Sequence, residues 1–197
     1  MTRPIDPKRT ALFLLDFQNM IVGRLPNPEP VTTATVSAVA SARKRGITVA
    51  HCRVAFDQSD IDSIPDTNFS FGAMKENPQM LSAIEESAPT SQIIKELTPE
   101  PGELVLRKTR YGPFMCGPSA RFPKAFKEKG IDTLVFAGVV TSGAVLSAVR
   151  QAADLDFMIY VLEDCCADQD DEVHKILMEK VFPRQGYVIK STELETL

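Results

Sequence analysis

TLVFAGVVTSGAVLSAVRQAAD, residues 133–154, is the stretch of this 197-residue chain that decides its fold. Residues 133–139 form the most apolar run in the sequence, which is typical of a strand buried on both faces of a parallel sheet. Residues 142–154 place alanine and valine at helical spacing, which predicts a helix with one buried face. A strand that leads through a tight turn into a helix is the building unit of α/β folds.

The same alternation of strand and helix continues on both sides of this unit. The positions of Pro and Gly and the periodicity of apolar residues predict the boundaries of the other elements. We predict strands over 11–15, 47–54, 104–106, 157–162 and 187–190, and helices over 31–45, 118–129 and 170–181. The pattern predicts one α/β domain spanning residues 1–197, with a parallel sheet, right-handed crossovers and helices on both faces.

Residues 56–102 interrupt the alternation. They are rich in Asp, Ser, Pro and Asn and are too numerous for a simple connection. We predict a short helix near 78–86 and otherwise a loop that partly covers the ligand site.

Composition and charge exclude several classes of protein. The net charge of −4 is spread along the sequence, which argues against a nucleic acid partner because phosphate binding needs a concentrated basic face. A membrane-spanning segment and a signal segment are not predicted, so we expect a cytoplasmic protein with no membrane partner.

The four cysteines, Cys52, Cys116, Cys165 and Cys166, lack zinc-site spacing. We expect reduced thiols and no cofactor.

Three polar features directly follow predicted strands. Open parallel sheets bind their ligands at the carboxyl ends of their strands, which is where these features are expected to lie. Asp16 closes the first strand, Lys108 follows the third, and GVVTSG at 138–143 joins the most apolar strand to its helix. Each has an ordinary explanation by itself: a turn carboxylate, a solvated lysine, or a capped helix start. The turn also presents backbone N–H groups that suit an anion or oxyanion. Their convergence on one edge of the sheet favours a shared site.

In this order and spacing, the features resemble the isochorismatase-like hydrolase superfamily, whose members are mostly cysteine hydrolases. The resemblance rests on ALxxxDxQN at 11–19, on Lys108, and on GVxT at 138–141 before a helix that runs into AADLD at 152–156. It covers the chain from residue 11 to about residue 189. It implies a three-layer α-β-α fold, a six-stranded parallel sheet in the order 3-2-1-4-5-6, and a homodimer or homotetramer.

The resemblance also implies roles for individual residues. The family's catalytic Asp and Lys match Asp16, as base and proton carrier, and Lys108, as the cation that lowers the carboxylate pKa. The family's cis peptide bond, which helps to form an oxyanion hole, matches Val139–Val140. The position of the family's nucleophilic cysteine is occupied by Ala144, which carries no nucleophile.

Three explanations of Ala144 remain open at this stage. The chain could belong to a non-covalent branch, such as true isochorismatases, which hydrolyse a vinyl ether by proton delivery from the Asp and attack by water. A natural cysteine could have been replaced, so that the parent protein is a cysteine-dependent amidohydrolase that cleaves a C–N bond. The chain could also be a catalytically silent member that binds a metabolite. We favour a non-covalent small-molecule hydrolase that uses Asp16 and Lys108.

Candidate substrate contacts flank these residues. Arg53 could bind a carboxylate bidentately, or it could form a salt bridge with the 56–102 stretch. Together with Lys108, it indicates a small substrate that bears a carboxylate or a carbonyl. The other candidates lie in three loops: Gln18 and Asn19; Tyr111 and Phe114; and Val140, Thr141, Ser142 and Gly143.

Other nucleophiles and metal ligands are less well supported. Cys116 could approach the mouth of the site, but it is also explained as an ordinary loop thiol. Neither His51 nor His174 has a sequence partner that indicates a catalytic triad, and a structural role suits His174. The Asp-x-His metal ligands of the nicotinamidase branch are absent, so we expect no metal.

Overall fold

The computed structural model describes residues 3–196 and contains a six-stranded, all-parallel sheet. Its strands are β1 (Thr10–Leu15), β2 (Thr48–Val54), β3 (Leu104–Lys108), β4 (Thr133–Val139), β5 (Met158–Ala167) and β6 (Tyr187–Ile189). They pair in the order β3-β2-β1-β4-β5-β6, which confirms the predicted topology. From β1 the chain adds β2 and β3 on one side of the sheet and then crosses to add β4, β5 and β6 on the other side. The carboxyl ends of β1 and β4 therefore form the topological switch point at which such folds bind ligands.

Eight α-helices accompany the sheet in the described part of the chain. They are α1 (Asn19–Val22), α2 (Glu29–Arg45), α3 (Gln58–Asp62), α4 (Phe69–Gly72), α5 (Pro78–Ile84), α6 (Phe122–Glu128), α7 (Leu146–Asp154) and α8 (Asp171–Ile176).

Both faces of the central strands β1 and β4 are buried, as their continuous apolar runs predicted. Side chains of β1 alternate between two cores because successive residues of a strand point to opposite faces. Phe13 and Leu15 pack in the core that contains the apolar faces of α6 and α7. Leu12 and Leu14 pack in the opposite core, which contains the buried residues of α2.

Several predicted boundaries differ from the structure for local reasons. The predicted helix over 118–129 is divided into a 3-10 turn (Pro118–Arg121) and α6. Pro123 lacks an N–H and would clash with the carbonyl four residues earlier, so the α-helix begins only at Phe122. The predicted helix over 142–154 begins as a wide turn (Thr141–Val145) that leads into α7. β5 extends to Ala167, five residues beyond the predicted strand.

Residues 56–102, which we call the cover segment, contain more helix than predicted. The predicted helix near 78–86 is α5, while α3 and α4 occupy parts of the predicted loop. Side chains of Asp57, Asn68 and Asn77 accept backbone N–H bonds at the starts of these three helices. The Asp and Asn content that indicated a loop therefore also supplies helix caps.

The cover segment has its own small core and is anchored to the sheet by charge. Phe56, Ile61, Ile64, Phe71 and Ile84 are buried together in this core. Arg107, in β3, forms salt bridges with two carboxylates near the start of the segment, those of Asp57 and Asp60, and with that of Glu86, which follows α5. The segment is thus packed against the carboxyl ends of β2 and β3.

Candidate active site

A buried ion pair lies at the carboxyl edge of the sheet. Asp16 directly follows β1 in a left-handed conformation with φ of 59°, and Lys108 is the last residue of β3. The Lys108 ammonium lies 2.9 Å from Asp16 Oδ2 and also donates to the Tyr111 carbonyl at 2.5 Å. Because β2 lies between β1 and β3, the Lys108 side chain spans the end of β2 to reach Asp16. The structure thus brings together the two residues that were predicted to act as the proton carrier and as its supporting cation.

Burial shapes the chemistry of this pair. Removal from water raises the pKa of the Asp16 carboxyl above its ordinary value, and the Lys108 ammonium opposes that rise. The second carboxylate oxygen, Oδ1, is buried and has no hydrogen-bond partner within residues 3–196. An unpaired buried acceptor is costly, so Oδ1 is the atom best placed to accept a hydrogen bond from a group that enters the site.

A cavity of about 360 Å³ opens beside the ion pair. Its walls come from the carboxyl ends of the strands, the turn before α7, and the cover segment. Its volume suits a small molecule. The lining residues are Asp16, Ile21, Arg24, Val54, Ser70, Phe71, Ala73, Met74, Asn77, Met80, Lys108, Arg110, Tyr111, Val139, Val140, Gly143, Ala144 and Gln169.

The turn between β4 and α7 forms one wall of this cavity. The Val139–Val140 peptide bond is cis, and Val140, Gly143 and Ala144 line the cavity. Ala144 is 3% exposed, and its methyl group stands where the resemblance placed a nucleophilic thiol. The cavity therefore combines the Asp–Lys pair with an inert side chain at position 144.

The other side of the same turn is bound to the region around α8. Thr141 Oγ1 shares a hydrogen bond of 2.8 Å with His174 Nδ1, and the Ser142 N–H donates to the Asp168 carboxylate at 2.7 Å. Neither Thr141 nor Ser142 lines the cavity. These bonds hold the turn in position, and the substrate contacts predicted for Thr141 and Ser142 stay predictions. The structural role predicted for His174 is consistent with its hydrogen bond to Thr141.

Two amide residues of the first loop also fall outside the cavity lining. The Gln18 amide donates to the carbonyls of Val54 and Ser91 and accepts from the Val54 N–H, each at 2.7 Å. Asn19 donates to the Pro89 carbonyl at 2.9 Å. Their expected role in orienting a ligand is replaced by a structural one, because these amide groups hold the cover segment to the sheet.

Arg53 and Phe114 are likewise placed elsewhere. The guanidinium of Arg53 donates to the carbonyls of Glu86 and Ser91 and lies 3.5 Å from the Glu86 carboxylate. Of its two predicted roles, the structure therefore shows the salt bridge to the 56–102 stretch. Phe114 is buried in the core, with its ring centre 5.6 Å from that of Phe13. Its aromatic side chain serves packing and not the cavity wall.

The main features missed by the sequence analysis are two arginines and the apolar wall of the cover segment. Arg24 follows α1, and Arg110 lies two residues after Lys108. The guanidinium of Arg110 lies 5.6 Å from the centre of the Phe71 ring, a cation–π contact. The position of Arg110 so close to Lys108 was a usable signal, whereas the approach of Phe71 depends on the fold of the cover segment.

The cysteines do not supply an alternative nucleophile to this cavity. Cys116 is exposed and is not among the lining residues. Cys52, Cys165 and Cys166 are buried, and burial raises the pKa of each thiol, which favours the unreactive neutral form.

Residues 3–196 contain no group of three or more His, Cys, Asp or Glu side chains arranged to hold a metal ion. In the same residues, none of the helices is both long enough and apolar enough to cross a membrane. His51, the other histidine, is buried and contacts Glu103 at 3.0 Å, away from the cavity.

Comparison with known proteins now identifies the family. A model of the Isochorismatase domain matches residues 10–193, which is nearly the whole chain. The chain belongs to the isochorismatase family. Among curated isochorismatase-family relatives, it is 26% identical to the ureidoacrylate amidohydrolase RutB of Caulobacter vibrioides over 178 residues, covering 82% of this chain and 78% of that protein. It is 27% identical to the enzyme of the same name from an Enterobacter species, covering 80% and 75% of the two chains.

Solved structures of the isochorismatase family show the same fold. An isochorismatase family protein from Burkholderia thailandensis superposes with a TM-score of 0.80 at 20% identity, covering 100% of this chain and 98% of that one. N-carbamoylsarcosine amidase from Thermoplasma acidophilum superposes with a TM-score of 0.73 at 23% identity, covering 93% and 96% of the two chains.

Proposed function

We propose that this isochorismatase-family protein hydrolyses a C–N bond of a small molecule without a covalent thiol intermediate. The observation that carries the proposal is the cavity that combines the Asp16–Lys108 pair with Ala144 and contains no cysteine among its lining residues. The relatives named as amidohydrolases support an amide or ureide as the bond that is cleaved.

Asp16 moves the proton in the proposed reaction. Its carboxylate removes a proton from water, and the water oxygen forms a bond with the substrate carbonyl carbon. The C–N bond then breaks, and the protonated Asp16 delivers its proton to the leaving nitrogen. The products are a carboxylic or carbamic acid and an amine, and Asp16 returns to its starting state.

Lys108 and the turn before α7 support this chemistry. The Lys108 ammonium favours the ionised form of Asp16 and so opposes the effect of burial, because an adjacent cation stabilises the carboxylate. The cavity-lining turn around Gly143 is the candidate support for negative charge on the carbonyl oxygen. The apolar side chains of the cover segment restrict water around the reacting groups, which strengthens both interactions.

The pH dependence of hydrolysis tests this proposal. We expect activity towards members of a panel of simple amides and N-carbamoyl compounds. The value of kcat/KM should rise with pH through a midpoint above 3.8, the ordinary value for aspartate, because burial raises the pKa of the group that must be ionised. Release of ammonia or amine is the measurement. Failure to hydrolyse any compound of the panel, or an acidic limb at or below the ordinary aspartate value, would contradict the proposal.

A further inference from the structure

The charges that line the cavity do not cancel. Asp16 and Lys108 neutralise each other, and the remaining charged lining residues are Arg24 and Arg110. The cavity wall therefore carries two surplus positive charges in a chain whose net charge is −4. A concave site with a local charge opposite to that of the whole protein concentrates ligands of negative charge.

Both guanidiniums are available to a ligand. No carboxylate of residues 3–196 lies within 4.0 Å of Arg24 or Arg110, in contrast to Arg53 and Arg107, which form ion pairs. Arg110 is half-buried and is oriented by two contacts: its Nη1 donates to the Thr109 carbonyl at 2.6 Å, and its charge lies over Phe71. Arg24 is exposed and lies two residues after the end of α1.

We infer that the substrate carries a carboxylate in addition to the bond that is cleaved, and that Arg110, assisted by Arg24, binds this carboxylate. A planar guanidinium matches the two oxygens of a carboxylate and forms charge-assisted hydrogen bonds with them. Met74 and Met80 line the cavity and suit a short carbon chain between the carboxylate and the scissile group. This inference rests on the proposed function for the position of the scissile bond.

Isothermal titration calorimetry measures the binding of candidate ligands whether or not the protein hydrolyses them, and so tests the carboxylate site independently of activity. The probes are N-carbamoyl-β-alanine, N-carbamoylglycine and their uncharged methyl esters, with inorganic phosphate as a second anion. We expect each acid to bind more tightly than its ester by roughly tenfold to a hundredfold, the range for hydrogen bonds to charged groups. Arg110→Gln should remove most of this preference, Arg24→Gln should remove a smaller part, and added salt should weaken it.

Arg150→Gln is the matched control, because Arg150 lies in the neighbouring surface cleft and not in the cavity lining. This variant should retain the preference for the acid. The inference is overturned if none of the acids binds, if acid and ester bind equally, or if the preference survives in the Arg110→Gln and Arg24→Gln double variant. Tighter binding of phosphate than of the acids would overturn the assignment to a carboxylate. Hydrolysis of uncharged amides only would leave the proposed function standing and would contradict the inference.

Discussion

Replacing Asp16 by asparagine is expected to lower turnover by about a hundred- to ten-thousand-fold, the range over which a positioned proton carrier acts. Asparagine preserves the shape of the side chain but can neither accept a proton from water nor deliver one to the leaving nitrogen. No other carboxylate is among the cavity-lining residues, so no substitute is within reach. The measurement is kcat on whichever amide or N-carbamoyl compound the native protein hydrolyses best.

A loss of activity in Asp16→Asn must be separated from a loss of folding. The substitution leaves the fully buried Lys108 ammonium without its partner, and breaking a buried ion pair costs about 3–5 kcal/mol. The double variant Asp16→Asn with Lys108→Met removes both charges and should recover most of the free energy of unfolding in urea. It should remain inactive. A stable Asp16→Asn protein with native kcat would show that this constellation is not the catalytic site.

Ala144→Cys is expected to create the most reactive thiol in the protein. The new thiol would face the cavity that contains the Lys108 ammonium and would stand at the turn before α7, and a nearby cation lowers the pKa of a thiol. We expect iodoacetamide to modify it about tenfold or more faster than Cys116, the exposed native thiol. Peptide mass spectrometry over a time course measures both rates in the same sample.

Ala73→Cys provides the matched control for this gain of reactivity. Ala73 lines the same cavity but is exposed and belongs to the cover segment, so a cysteine there is more accessible to the reagent and lacks the turn before α7. The rate at position 144 should exceed the rate at position 73. Equal rates, or a thiol at 144 that reacts no faster than Cys116, would mean that Lys108 and the turn do not activate that position.

The sheet could be predicted from the sequence because burial on two faces leaves a strong signal. A strand such as β4 must be apolar at every position, so its run of residues 133–139 can be recognised without any tertiary information. The cover segment gives a weaker signal. Its helices are short, and their Asn and Asp caps are the same residue types that favour loops.

The Asp16–Lys108 ion pair could be predicted for a related reason, whereas the orientation of the neighbouring side chains could not. Asp16 and Lys108 end strands, and parallel strands bring their carboxyl ends to one edge whatever the details of the loops. Gln18 and Arg53 also lie near that edge, but their side chains turn towards the cover segment. That choice depends on the path of residues 85–91, which sequence spacing does not determine.

The turnover of protein that is fully alkylated at Cys116 tests the central claim most directly, because Cys116 is the one exposed thiol of residues 3–196. Iodoacetamide treatment of the native chain, followed by intact mass measurement, establishes when modification is complete. The account predicts unchanged kcat and KM, since hydrolysis depends on Asp16 and Lys108 and on no thiol. A loss of activity that tracks the alkylation of Cys116, and that substrate slows, would contradict it.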